Sequence, residues 1–230
     1  INDKTYFIRV SFIATQKGEK VALRLLLQNQ IRTLNELHIK PELRSSINKT
    51  LSLDTGLFLV CGATGAGKTT TLYACLDAVN TGEKAIFTIE DPVEYEVEEY
   101  FQCEPQPAIN LTACQLLKSF MRQDPDIILI GELRDAETAQ LAITAALTGL
   151  MVFATLHSNS ALDAIHRLES WQVDFFAFSS VIQLVLHQKM KYKTCKAEPI
   201  FQGIKPNWHS KLRPSCYQDL TQNQSYWQFH

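Results

Sequence analysis

The chain has no surplus of positive charge: 22 Lys and Arg against 24 Asp and Glu leave a net charge of -2 and a pI near 6.3. No field of the kind that gathers nucleic acid or an anionic bilayer arises from such a balance, and no basic stripe or aromatic platform stands out. Nucleic acid is therefore not an expected partner. Long apolar runs are also lacking: the longest, within residues 175–186, falls short of the ~20 residues needed to cross a bilayer. No signal peptide opens the chain, so membrane association is expected through a partner protein and not by insertion. Nor is there a disulfide framework. The six cysteines, Cys61, Cys75, Cys103, Cys114, Cys195 and Cys216, are scattered, and two fall in expected core elements, which suits a reducing compartment. What is present is ample apolar material, 46% of 230 residues, enough for one large or two small globular domains. The first residue is Ile1 and not methionine, so a preceding portion of a parent protein is expected.

The most informative segment runs from Gly62 through Ala63, Thr64, Gly65, Ala66, Gly67 and Lys68 to Thr69 and Thr70. It follows the apolar run Leu57–Cys61 and precedes a helix-favouring stretch to Val79, the strand-loop-helix setting of a phosphate-binding loop. Glycines let the backbone turn tightly, so that its N–H groups and the positive end of the helix converge on phosphate oxygens. Lys68 would add a charge at the outer phosphates, and Thr69 a hydroxyl for a magnesium ion bridging them. ATP and magnesium are the expected cofactors.

Around this loop the chain divides by texture. Residues 1–27 hold two strand-like segments, Phe7 to Ile13 and Lys20 to Leu27, which read as the last hairpin of a preceding domain. Residues 28–54 read as a linker with a short helix from Pro41 to Thr50. In residues 55–194 apolar strands (Leu57 to Cys61, Ala85 to Glu90, Ile127 to Gly131, Met151 to Leu156) alternate with helices. The helices are expected near Lys68 to Val79, Thr112 to Gln123, Ala136 to Thr148, Ser160 to Glu169 and Asp174 to Gln188. That alternation predicts an α/β fold with a mostly parallel sheet flanked by helices. Residues 195–230, with Pro199, Pro206 and Pro214, predict loops with a few short strands, poorly ordered toward His230.

In a sheet of this kind ligands bind at the carboxyl ends of the strands. Glu132 closes the strand Ile127 to Gly131 and is the candidate to position or activate a water. On its own it also reads as a solvated strand-end glutamate. Glu90, Asp91 and Glu94 cluster at the end of another strand. Such carboxylates would repel a phosphate unless a cation intervened, which supports a magnesium site using Glu90 and Asp91 with Thr69. His157 ends a fourth strand; a lone histidine there is more often a hydrogen-bonded structural group than a catalyst, and only its expected neighbourhood with the phosphate reverses that weighting.

Four segments together, GATGAGKTTTLYACL (62–76), TIEDPVEY (88–95), MRQDPDIILIGELRDAETAQLAITAALTG (121–149) and ATLHSNSALDAIHRL (154–168), resemble the secretion ATPases of type II secretion and type IV pilus assembly. The resemblance runs in order over roughly residues 5 to 190. It implies a RecA-like core in a hexameric cytoplasmic ATPase docked to an inner-membrane platform, whose hydrolysis-driven domain motion pushes pilin subunits out of the bilayer. It also implies an acidic box at Glu90, Asp91 and Glu94, a catalytic glutamate at Glu132 and a histidine box at His157. Arg9 and Arg24, on the opening hairpin, map onto two arginines that reach the outermost phosphate. Read without the resemblance they are equally solvated arginines on a hairpin face.

Some positions depart from the family. Leu150 stands where it usually has a histidine, Lys189 where it commonly has arginine, and its zinc-binding cysteine pairs survive only as Cys195-x-x-Glu198 and Arg213-x-x-Cys216. Arginine cannot ligate zinc, so no zinc is expected. These departures keep open a degenerate, non-hydrolysing subunit that binds ATP as a structural ligand; a nucleic-acid-dependent motor with a related core is the less supported third reading.

Overall fold

A computed structural model describes residues 6–27, 31–193, 196–208 and 214–230. Strands β1 (Tyr6–Thr15) and β2 (Gly18–Leu27) form an antiparallel hairpin. Helix α1 (Pro41–Leu51) then leads into β3 (Gly56–Cys61), α2 (Lys68–Val79), β4 (Ile86–Ile89), β5 (Tyr100–Cys103) and α3 (Ala113–Phe120). Next come β6 (Ile127–Ile130), α4 (Ala136–Leu147), β7 (Met151–Leu156), α5 (Ala161–Ser170) and α6 (Phe175–Val181). Strands β8 (Ile182–Lys193) and β9 (Lys196–Pro206), helix α7 (Tyr217–Gln222) and β10 (Trp227–Phe229) complete the described chain.

Eight strands make one sheet in the order β10-β9-β8-β3-β7-β6-β4-β5. All pairings from β8 across to β5 are parallel, and β9 and β10 add an antiparallel edge. The central strands read as unbroken apolar runs because both of their faces are covered. Along β3, Leu57, Leu59 and Cys61 join one core with α3 to α7, while Phe58 and Val60 join a second with α1 and α2. Strands β6 and β7 repeat the alternation, with Ile128, Ile130, Val152 and Ala154 on the first side and Leu129 and Phe153 on the second. Helix starts are set by side-chain caps: Thr112, Asp135, Ser160 and Asp174 each accept a backbone N–H of the first turn.

Two expectations are corrected. The predicted helix from Asp174 to Gln188 stops at Val181, and the chain continues as β8 beside β3. Ile182–Leu186 is apolar but for Gln183 and does not alternate strictly because it lies inside the sheet, and such a run has no clear period to distinguish strand from helix. The chain after Cys195 is more regular than loops with a few short strands: β9 has 11 residues, nine of them paired along β8, and Trp227 of β10 is buried, donating Nε1–H to the Leu220 carbonyl at 2.7 Å. Cys195 and Arg213, from the broken cysteine pairs, lie outside the described residues; Cys216 is exposed just before α7. Because Trp227 shares a core with Leu220 and Ile204, Trp227→Ala is expected to cost about 3–5 kcal/mol in urea unfolding of the whole chain. An unchanged transition would show that residues 196–230 stand apart from the cooperative core.

Candidate functional site

Strands β3, β7, β6 and β4 are consecutive in the sheet, so the residues that follow their carboxyl ends are brought side by side. These are Gly62, His157, Glu132 and Glu90, and the last three border a cleft of about 500 Å³, within the range of ordinary ligand pockets. Its walls also carry Thr64, Gly65, Gly67, Lys68, Thr69, Thr70, Asp91, Glu94, Arg134 and, from the hairpin, Arg9 and Arg24.

The loop between β3 and α2 is held from below by β8. Gly62 has φ +151, and a Cβ there would lie 2.1 Å from the Gln188 carbonyl oxygen, so only glycine fits. Gly67 precedes α2 with φ +84, and its missing side chain leaves room for the Gln188 amide. Gln188 is buried and accepts from Thr71 Oγ1 at 2.8 Å, bracing the first turn of the helix. Ala63 is exposed beside Gly62, and Ala66 tucks its N–H onto the Ala63 carbonyl.

Lys68 Nζ donates to the Gly62 and Ala63 carbonyls at 2.9 and 3.0 Å, so the loop folds around its own ammonium group. Partial burial pulls the Lys68 pKa below its ordinary value, while Glu132, Cys61 and Glu94 push it back up. An anion in the cleft would supply the charge that this half-buried ammonium has lost from water.

Glu132 is held at both oxygens. His157 Nε2 meets Oε1 at 2.8 Å, and Arg134 Nε donates to Oε2 at 2.9 Å. His157 turns its other nitrogen to the Gly62 carbonyl at 3.1 Å, which links the acid of β6 to the loop after β3. Arg134 reaches further and donates to Asp91 Oδ2 at 3.0 Å, joining the ends of β6 and β4. Glu94 is exposed at the rim, near enough to act on both Lys68 and Glu90 electrostatically.

Glu90 is the buried acid of the group, only 4% exposed. Burial raises its pKa; hydrogen bonds from Thr88, Tyr73 and Gln102 hold it down, and Glu94 adds repulsion. Among the described residues no three His, Cys, Asp or Glu side chains form a ready metal cage. What the cleft does offer is oxygen donors from Thr69, Glu90 and Asp91 beside a phosphate-binding loop. That donor set fits magnesium, which binds through one or two carboxylates together with substrate phosphates.

On the hairpin, Arg9 and Arg24 are directly opposite in the strand register, so both extend from the face turned to the cleft. Ile8, Val10, Phe12, Val21 and Leu23 occupy the other face and are exposed. Leu150 is at the opposite end of β7 from His157, roughly 20 Å away at ~3.3 Å per residue. There it lines a separate cavity with Leu51, Val79 and Ile127, so its substitution does not touch the phosphate cleft.

All five candidate catalytic residues, Glu132, Glu94, His157, Arg9 and Arg24, thus border one cleft with Lys68 and Thr69. Sequence reasoning missed Arg134, Tyr73, Gln102 and Gln188. Arg134 alone carried a local signal, two residues after Glu132; the others depend on which strands become neighbours.

A parallel sheet with helices on both faces and a glycine loop holding its own lysine at the carboxyl edge defines a phosphate-loop nucleotide-binding fold of the RecA-like type. Within that class, residues 1–225 match the type II/IV secretion system protein family, and the chain belongs to it. Type II secretion system protein E of Dickeya dadantii (strain 3937) is 41% identical over 196 residues, 85% of this chain and 39% of that protein. Type II secretion system ATPase E of Vibrio cholerae serotype O1 is 38% identical over 196 residues, with the same coverage of 85% and 39%. The chain therefore spans about two fifths of the length of the curated relatives it matches. Among solved structures, the pilus retraction motor PilT with bound ADP superimposes with a TM-score of 0.73 at 28% identity, covering 96% of this chain and 66% of that one. The ATPase DotB of Legionella pneumophila shares the fold, with a TM-score of 0.72 at 20% identity over 88% of this chain and 58% of that one.

Proposed function

We propose that the chain is the catalytic part of a magnesium-dependent ATPase that powers type II secretion or type IV pilus assembly. The observation that carries this reading is that Glu132 and Lys68 share a cleft with two hairpin arginines. The backbone from Gly62 to Thr70 binds the phosphates, and Lys68 directs its charge to the outer ones. Thr69, Glu90 and Asp91 would hold a magnesium ion, which when bound would neutralise charge on the phosphates. Glu132 takes a proton from the water as its oxygen bonds to the outermost phosphorus and the bond from that phosphorus to the bridging oxygen breaks, releasing ADP and phosphate, with Glu94 adding to the negative field at the rim. His157 keeps the Glu132 carboxylate in place and ties it to the loop.

Arg9 and Arg24 belong, in this reading, to the end of a preceding domain, and the exposed apolar face behind them suits packing against the rest of that domain. Arginines on a separate body stabilise the transition state only when the two bodies close, which couples hydrolysis to motion. A hexameric ring would place six such clefts around one axis, with the assembly cytoplasmic and held at the inner membrane by a platform protein. No helix among the described residues is long and apolar enough to cross a membrane. The non-hydrolysing alternative draws on Leu150, which lies at the far end of β7, and on the broken cysteine pairs and the short tail.

Lys68→Ala tests the reading. Losing one charge-assisted contact to phosphate is expected to cost about 1.5–3 kcal/mol, roughly a 10- to 150-fold weaker dissociation constant for ATP, measured by calorimetric titration of the full chain. Wild-type affinity in the variant would remove the phosphate loop from its role.

A further inference from the structure

The buried carboxylate of Glu90 is held very unevenly. Thr88 Oγ1 donates to Oε1 at 2.6 Å, Tyr73 OH at 2.7 Å, and Gln102 Nε2 approaches it at 3.4 Å. Among the described residues nothing donates to Oε2, while Glu90 itself borders the cleft. Tyr73 is wholly buried on α2, one helical turn beyond Thr69 and Thr70. Its hydroxyl also accepts from Gln102 Nε2 at 2.7 Å. Gln102, on β5, spends its remaining capacity on the segment after Asp91: Nε2 donates to the Tyr95 carbonyl at 2.7 Å, and Oε1 accepts the Val97 N–H at 2.8 Å. The Tyr95 ring packs on Tyr73 at 5.0 Å, and its hydroxyl lies 3.3 Å from Thr70 Oγ1.

We propose that Tyr73 and Gln102 are positioning residues that fix Glu90 by one oxygen, keep the other free for the nucleotide-bound magnesium, and tie the acidic loop 91–97 to the phosphate-loop helix. A carboxylate in a dry setting must be hydrogen-bonded, and donors gathered on one oxygen fix its rotation as well as its charge. Partners of this kind, one bond removed from the metal, commonly control its affinity. The inference rests on the magnesium-ATP reading of the cleft.

The test uses the full chain and a fluorescent ADP analogue, titrated with magnesium and again with EDTA. Tyr73→Phe keeps the ring and removes the hydroxyl; Gln102→Met keeps the length and removes every contact of the amide. Each is expected to bind nucleotide within about 2-fold of wild type in EDTA. The magnesium concentration at half-saturation should rise by about 10-fold or more. Unchanged magnesium dependence in both variants overturns the inference, and so does an equal loss with and without magnesium, which would mark the network as support for the fold alone. Lys68→Ala run in parallel separates the failures: if it binds like wild type, the reading of the cleft falls, whatever Tyr73 does.

Discussion

Replacing Arg9 and Arg24 together by alanine is expected to leave ATP binding near wild type and to lower turnover by on the order of 10³-fold, the low end of the effect of an arginine supplied to phosphoryl transfer. Two guanidinium groups directly across an antiparallel pair repel each other, an arrangement that weakens a hairpin unless an anion lies between them. Among the described residues no carboxylate forms an ion pair with either one. A phosphate reaching them from the Lys68 side of the cleft would relieve that repulsion, most of all as charge builds up during transfer. Steady-state phosphate release paired with equilibrium binding checks the split. Wild-type turnover would return both arginines to the solvated surface, and a loss of binding equal to the loss of turnover would make them binding groups only.

Glu132→Gln is expected to bind ATP as wild type does and to lose ~10²- to 10⁴-fold in turnover, the ordinary range for removing a general base. The substitution is well suited to isolating charge. A glutamine oxygen can still accept from Arg134 Nε, and its amide can donate to His157 Nε2 while His157 Nδ1–H turns to the Gly62 carbonyl. Every neighbouring polar group keeps a partner, so what disappears is the group that accepts the water's proton. Turnover and affinity falling together would instead point to collapse of the link between β6 and the phosphate loop.

Much of the site was legible because its residues are tied to strand ends. Glu132 and His157 directly follow apolar runs whose bounds the sequence marks well, and the parallel order β3-β7-β6-β4 gathers them at one edge. The part that was not legible depends on strands with weak local signals. Strand β5 is only four residues long and mixed in polarity, and it carries Gln102. Strand β8 has an apolar, non-alternating start that reads equally well as helix, and it carries Gln188. Strand β9 contains Pro199, which suggested a loop. Among the described residues its partner β10 pairs only with residues 204–206, so Pro199 has an unpaired side there, the setting in which a strand tolerates proline. That Leu150 stands far from His157 was likewise not legible until the run between them was an extended strand, with the two positions at its opposite ends.

Phosphate release by the wild-type full chain, with and without magnesium and beside Glu132→Gln, tests the central claim most directly when oligomeric state is measured at the same protein concentration. Saturable, magnesium-dependent release is expected, at ATP levels in the ~1 μM to 1 mM range usual for enzyme substrates, and the variant should show almost none. A wild-type protein that assembles and binds ATP but releases no phosphate, or a variant that releases it equally fast, would contradict the account.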